Sequence, residues 1–249
     1  MSEEFNVNGP DLELTRFSTI ADVPIHYARP PVSTYGSIGK ARTPRLDIQF
    51  LKTMDACFEE LWAVYPQGKG RGIVSAGCYV EKPGSHSMGR AIDIDAVWWH
   101  YGPPIIALSY PKDRKRYLAT EAILRKHIGI VLNYHYNSKH RDHWHCDDTE
   151  PVGFFPTASR VVFIQAAAIH VFGLDITHDG IWGPQTEGAT KQIAEQFGGP
   201  ENITLLAGWN CFLNAVAQAG FADVEPKPQP EETAATEITE DTDSDSEAD

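Results

Sequence analysis

His86, Asp93 and His145 are the residues whose types and spacing best suit chemistry in this chain. The first two lie seven positions apart in Gly84-Ser85-His86-Ser87-Met88-Gly89-Arg90-Ala91-Ile92-Asp93, across a glycine. The third closes Asp142-His143-Trp144-His145, about fifty residues later, with an acid three places before it. Two imidazoles and one carboxylate form the ligand set of a catalytic zinc that keeps a fourth position open for water. A nearby carboxylate that is not a ligand is what such a site needs to take that water's proton. The spacing therefore predicts a hydrolytic Zn2+ site. Packing or surface histidines would have to produce two complementary half-sites by coincidence.

The elements that must position these groups follow from periodicity. Gly89 sits where a sharp reversal can need a positive φ. Ala91-Ile92-Asp93-Ile94-Asp95-Ala96-Val97-Trp98-Trp99 alternates as a strand does, placing Ala91, Asp93 and Asp95 on one face and Ile92, Ile94 and Trp98 on the other. An extended segment over 143–147 puts His143 and His145 on a shared face. Upstream, Thr43 is expected to cap a helix opened by Pro44, with Leu46, Phe50, Met54, Cys57, Leu61 and Tyr65 at helical spacing. A strand begins at Gly72, a helix covers about 114–126 and stops near Gly129, and strands at 130–132 and 143–147 are joined by the turn Asn137-Ser138-Lys139. The fold class predicted is α+β: an antiparallel sheet with flanking helices and the metal on its open face. Residues 1–40, rich in proline and glycine, are read as an extended N-terminal arm, and 41–152 as the metal domain. The aromatic stretch 98–111 either borders a cleft or packs beneath a loop.

The two half-sites resemble the zinc peptidases that cleave peptidoglycan stem peptides: D-Ala-D-Ala carboxypeptidases, L-alanoyl-D-glutamate endopeptidases of phage lysins, and the extensin-like C-terminal family. Their pattern is Ser-x-His-x-x-Gly-x-Ala-x-Asp, followed by an acid three residues before a final histidine. Gly89, Ala91, Asp93 and both histidines match it. Gly84 replaces the leading serine, with Ser85 one place late. The resemblance covers roughly 40–150 and implies that His86, Asp93 and His145 bind zinc and that Asp142 is the general base. An aspartate there is closer to the lysin endopeptidases than to the carboxypeptidases. The carboxypeptidases also carry an upstream arginine that polarises the scissile carbonyl, and Val74-Ser75-Ala76-Gly77-Cys78-Tyr79-Val80 has none. Arg71, Lys82 and Arg90 are the candidates to replace it.

Asp142 and His143 compete for the role of base. Asp142 has the family spacing to His145, and His143 has strand parity in its favour. Asp95 is a candidate outer acceptor for a ligand imidazole, of the kind metal sites need, or a solvated acid. His140 reads as a loop residue.

A second signature is independent of the first. Asp179-Gly180-Ile181-Trp182-Gly183-Pro184-Gln185-Thr186 follows a helical stretch beginning near Val161, and Pro184 is suited to open the next helix. It resembles the hallmark of the small three-helix peptidoglycan-binding domain attached to many wall hydrolases, over roughly 157–222. Both resemblances point to peptidoglycan as the partner.

The remaining composition sets limits. No run of eighteen apolar residues occurs, so no membrane span is expected. The acidic, polar N-terminus lacks the features of a secretory signal. That implies a chain made in the cytoplasm and acting on the wall after lysis or dedicated export. The four cysteines form no Cys-x-x-Cys pair. Cys78 and Cys146 are the pair placed for a disulfide, with buried free thiols the commoner outcome. Residues 223–249 carry eleven acids against Lys227, ten of the thirteen net negative charges. With three prolines and few large apolar side chains, the segment reads as a disordered acidic tail, either solubilising or docking an export partner. The absence of a basic stripe argues against nucleic acid. Two rival readings remain: a non-catalytic wall-binding component of a phage or injection apparatus, and a zinc peptidase acting on a non-wall peptide.

Overall fold

The computed structural model describes residues 13–227. The first twelve residues of the expected arm and the acidic stretch from 228 onward lie outside the described residues. The chain is α+β, with a mostly antiparallel sheet.

The arm does more than wrap the domain. Leu14–Arg16 (β1) pairs with Arg45–Asp47 (β5) in a two-stranded ribbon. Thr19–Ile20 (β2) and Val23–Tyr27 (β3) join the main sheet, and Lys40–Ala41 (β4) pairs with β3. β3 lies parallel to Gly72–Gly77 (β6), the one parallel pairing in the sheet among the described residues. The rest is antiparallel: β6 with Ala91–Trp98 (β7), β7 with Trp144–Asp147 (β10), and β10 with Ile130–Leu132 (β9). Ile105–Ile106 (β8) pairs with β7.

The first helix starts later than predicted. Ile48–Val64 (α1) is capped by Asp47, whose carboxylate accepts from the backbone N–H groups of Gln49 and Phe50. Residues 45–47 are instead held extended by pairing with β1, so a tertiary strand partner overrides the Thr43-Pro44 start signal. Arg114–His127 (α2) falls as predicted. Both helices cover one face of the sheet. There Ile73, Ile92, Ile94, Val97, Val131, Trp144 and Cys146 form one apolar cluster with Phe50, Met54 and Phe58 of α1 and Tyr117 and Leu118 of α2.

Strict alternation along β7 fails at one point. Ile94 pairs with Ser75 and Ala96 with Val74, so Asp95 has no β6 partner and forms a bulge. Beyond it the faces exchange: Val97 joins Ile92 and Ile94, and Trp98 packs on the opposite face with Ala28, Val74 and Ala96. The predicted grouping of Trp98 with Ile92 and Ile94 is thus corrected by a single extra residue. The aromatics after it pack inward. Trp99 stacks on Tyr65, and Tyr110 packs against Tyr117 and Tyr134.

Three helices follow: Ala158–His170 (α3), Pro184–Gln196 (α4) and Leu206–Phe221 (α5). They share the main core, since Phe163, Trp209, Phe212 and Val216 belong to the same cluster as the sheet and α2. The Asp179–Thr186 segment is tied to α3 by buried Gln165. Its amide donates to Asp179 and Thr186 side chains, and its carbonyl oxygen accepts from the Gly180 N–H. Trp182 packs on Phe154, with ring centroids 4.6 Å apart.

Candidate metal centre

A turn and a strand pairing bring the ligands together. Residues Ser85–Met88 form a short 3-10 helix closed by Gly89, whose φ of 65° is left-handed. A Cβ at Gly89 would also lie 2.7 Å from the Asp47 backbone nitrogen, so angle and space both require glycine. The turn carries His86 back to β7, with Nε2 3.4 Å from Asp93 Oδ1. The Nδ1 of His86 is 2.9 Å from the Cys78 carbonyl oxygen. Donation from Nδ1 there leaves the Nε2 lone pair free for a cation. His145 stands directly opposite Asp93 across the β7–β10 pairing, with Nδ1 2.9 Å from Asp93 Oδ1.

The ligand atoms of His86, Asp93 and His145 all lie within 4.8 Å of one another. Zinc bonds of about 2.0–2.1 Å in a tetrahedron place ligand atoms about 3.3 Å apart. The 3.4 Å and 2.9 Å edges bracket that value. The group fits a metal ion, and two nitrogens with one carboxylate oxygen suit zinc.

Gly77 makes the room. It pairs with Asp93 across β6–β7, and a Cβ there would come 2.1 Å from Asp93 Oδ2 and 3.2 Å from His86 Cε1. Gly77→Ala should therefore displace the Asp93 carboxylate and weaken metal binding about 10- to 100-fold, the scale for disturbing a ligand's support. Competition against a chelating dye measures this. Unchanged affinity would mean that Asp93 is not a ligand.

The electrostatics are those of a site that holds a positive charge. Burial alone would raise the pKa of Asp93, but the hydrogen bond from His145, with His86 and His143 close by, holds it well below the usual carboxylate range. Burial would lower the pKa of His145, yet Asp147 and Asp93 bring it up to about 9. Asp147 Oδ2 lies 3.6 Å from His145 Nε2. Burial works against ionisation of Asp147 too, and His145, Ser85 and Thr149 overcome it. The metal-free ring thus holds a proton that a bound cation must displace from Nδ1. Apparent zinc affinity should rise about tenfold per pH unit between pH 7 and 8.5, below the His145 value of about 9, and flatten above it. Isothermal titration in buffers of different ionisation enthalpy should report about one proton released at pH 7.5. A pH-independent affinity would remove His145 from the ligand set.

The predicted base candidates sit beside this group. His143 Nδ1 is 2.8 Å from Asp142 Oδ1, and its Nε2 is 3.5 Å from Asp93 Oδ1. The other Asp142 oxygen accepts from Arg29 Nη1. Burial opposes ionisation of Asp142, but Arg29 and His143 hold its pKa below the usual value. The structure thus gathers His86, Asp93, Asp142, His143 and His145 in one place. His140 is near as well, its ring centroid 5.2 Å from that of His143.

Asp95 takes a different partner from the imidazole anticipated. Its two carboxylate oxygens accept from Arg29 Nε and Nη2 at 2.7 and 2.8 Å. Burial pushes its pKa up to about 6 against the pull of that guanidinium. Of the proposed substitutes for the upstream arginine, Arg90 pairs with Asp148, Arg71 lies over the Trp98 ring and Lys82 is exposed. The guanidinium at the site belongs to Arg29.

Three neighbours were not anticipated. Asp147, two places after His145 on the same strand, shares its face by period-two alternation, so a signal existed. Arg29 and Tyr35 have none, because both reach Asp142 across more than a hundred residues. All four cysteines are free thiols, with Cys78 and Cys146 buried. A groove of about 340 Å3 runs beside His145 and Asp147 to the start of α3, walled by Leu132, Tyr136, Ser159 and Arg160. Among the described residues no helix is long and apolar enough to cross a membrane. Comparison with protein-family profiles, curated proteins and solved structures finds no match.

Proposed function

We propose that this chain is a zinc-dependent peptidase of peptidoglycan stem peptides, with residues 157–222 contributing contact with the wall. The observation that carries the reading is the His86–Asp93–His145 group with an Asp142–His143 pair against it. These three residues would hold the ion and leave room for a water, and an imidazole–carboxylate pair beside them suits proton transfer. The motifs at 84–93, 142–145 and 179–186 give the substrate class by resemblance.

Zinc, when bound, supplies Lewis-acid polarisation of the scissile carbonyl and lowers the pKa of the attacking water. We assign His143 Nε2 to accept the water proton and return it to the leaving amine. Both Asp142 oxygens are already engaged, by His143 Nδ1 and by Arg29, so this carboxylate is better suited to orient the imidazole than to take the proton itself. The Cys78 carbonyl fixes the His86 ring by accepting from its outer nitrogen, and Asp147 stands 3.6 Å from the outer nitrogen of His145. The groove of about 340 Å3 between His145 and α3 is the candidate seat for the stem peptide, and it borders the helical segment.

Mass spectrometry of muropeptides tests the proposal, after sacculi are incubated with zinc-loaded protein and with His86→Ala. A new product absent from the control supports the peptidase and names the bond. An unchanged profile with the protein still pelleting on sacculi would make it a wall-binding component instead. Failure to pellet would favour a non-wall peptide as substrate.

A further inference from the structure

Arg29 makes more contacts at this site than any motif accounts for. Its Nε and Nη2 grip both oxygens of Asp95, and its Nη1 reaches Asp142. Asp95 is fully buried at the bulge of β7, two residues beyond the ligand Asp93. Asp142 lies on the loop ahead of β10, where strand pairing has not begun, and its side chain is 34% exposed. One planar guanidinium therefore registers the strand that carries a metal ligand against the loop that carries the base pair. A second contact from the same segment supports it. The Tyr35 hydroxyl donates to the Asp142 carbonyl oxygen at 2.7 Å and accepts from the Leu108 N–H at 3.2 Å, while the Arg29 guanidinium sits 4.9 Å over the Tyr35 ring.

We propose that Arg29 is a positioning residue, holding one oxygen of the Asp142 carboxylate so that the other keeps His143 turned toward the metal ligands. The inference rests on the peptidase reading for its kinetic consequences. Without Arg29, Asp142 has its hydrogen bond to the neighbouring His143 and no other side-chain partner among the described contacts. Both groups then swing together on a loop. A lysine cannot replace it, because a point charge on a flexible stem cannot meet two oxygens of one carboxylate in a plane and also reach a second carboxylate.

The test compares full-length wild type, Arg29→Lys, Arg29→Ala and the double variant Arg29→Ala/Asp95→Asn. The double variant avoids stranding a buried carboxylate, so a folding defect in the single variant does not end the experiment. All are loaded with zinc. In the double variant kcat should fall about 100-fold, the cost of roughly 1 Å of misplacement. KM should change less than about threefold, and one zinc should still bind. Arg29→Lys should remain well below wild type. Millimolar guanidinium should restore part of the Arg29→Ala activity and none of the wild type's. Long-range 15N spectra of the imidazoles give a readout independent of turnover. The wild type should show His143 as the Nδ1–H form in a fixed environment, and the double variant an averaged one. Wild-type kcat with an unchanged His143 signal in the double variant would overturn the proposal. So would loss of zinc in parallel with activity, since that would make Arg29 a support of the metal ligands. If the wild type itself cleaves nothing, the peptidase reading fails, and the spectra still decide whether Arg29 holds the pair.

Discussion

Replacing His86 with alanine should give a folded protein that no longer retains zinc and no longer cleaves stem peptides. His86 stands on a 3-10 turn outside the apolar core, with 22% of its side chain exposed, so its loss removes little packing. Its Nδ1 contact to the Cys78 carbonyl fixes a ring whose Nε2 faces Asp93, 3.4 Å away, with its lone pair open to a cation. Only two of the three candidate ligands would remain, His145 and Asp93, 2.9 Å apart. A Lewis acid at the carbonyl is worth several kcal/mol, so the rate should fall on the order of 10^3-fold or more. Zinc content by atomic emission should drop from one per chain to near zero. The metal-free variants should melt together, within about 2 °C of metal-free wild type. On the proposed reading, in which residues 157–222 contact the wall, binding to sacculi should persist, because that segment is untouched. A His86→Ala protein that still cut stem peptides would remove the metal from the mechanism.

The group that could hold a metal ion was legible because each of its members is local. His86 and Asp93 share one turn, and His145 shares one short strand with the residues that reveal its face. Position in space then needed only one further fact, that β10 pairs with β7 so that His145 meets Asp93. Alternation alone supplies the face but not the partner. The bulge at Asp95 shows where such reasoning stops. A single unpaired residue turns Asp95 to Arg29 and puts Trp98 on the face opposite Ile92 and Ile94, and nothing in the local pattern marks it. The start of α1 was missed for a related reason. Pro44 after Thr43 is a fair start signal, but β1 captures residues 45–47 first, and only tertiary pairing decides between the two.

Arg29 and Tyr35 illustrate the other limit. Both lie in a segment whose proline and glycine content signals only extended chain, yet the fold threads that segment along the site. Contacts separated by more than a hundred residues leave no periodicity to detect. The strand arginine that the resemblance called for is missing from 74–80, and a guanidinium nevertheless stands beside Asp142. Chemistry of this kind is fixed by type and distance rather than by place in the chain, which is why a departure from a motif need not be a loss of function.

Arg125→Met should cost about 3–5 kcal/mol of stability, the range for removing one partner of a buried ion pair. For a chain of this size that lowers the melting temperature by roughly 6–20 °C. Arg125 is 2% exposed and Glu121 not at all, and they meet at 2.8 Å one turn apart on α2. The same guanidinium donates to the carbonyl oxygens of Val131 on β9 and Ser159 on α3. It thus fastens the edge strand beside His145 to the first of the three C-terminal helices. Without it, Glu121 keeps only the Asn133 amide, at 2.9 and 3.0 Å. Burial already pushes the Glu121 pKa up, and Arg125 opposes that. Removing Arg125 should raise it further, so the folded variant takes up a proton that the unfolded chain releases at neutral pH. A carboxyl with a raised folded pKa contributes stability at low pH and loses it as pH rises. The deficit of Arg125→Met should accordingly be smaller at pH 5.5 than at pH 8, and adding Glu121→Gln should recover most of it at pH 8. Thermal melts of the single and double variants at the two pH values measure both effects. A deficit that is independent of pH and unrelieved by Glu121→Gln would place the loss in the Val131 and Ser159 contacts. The cost would then come from separating β9 from α3, where the groove beside His145 has its wall.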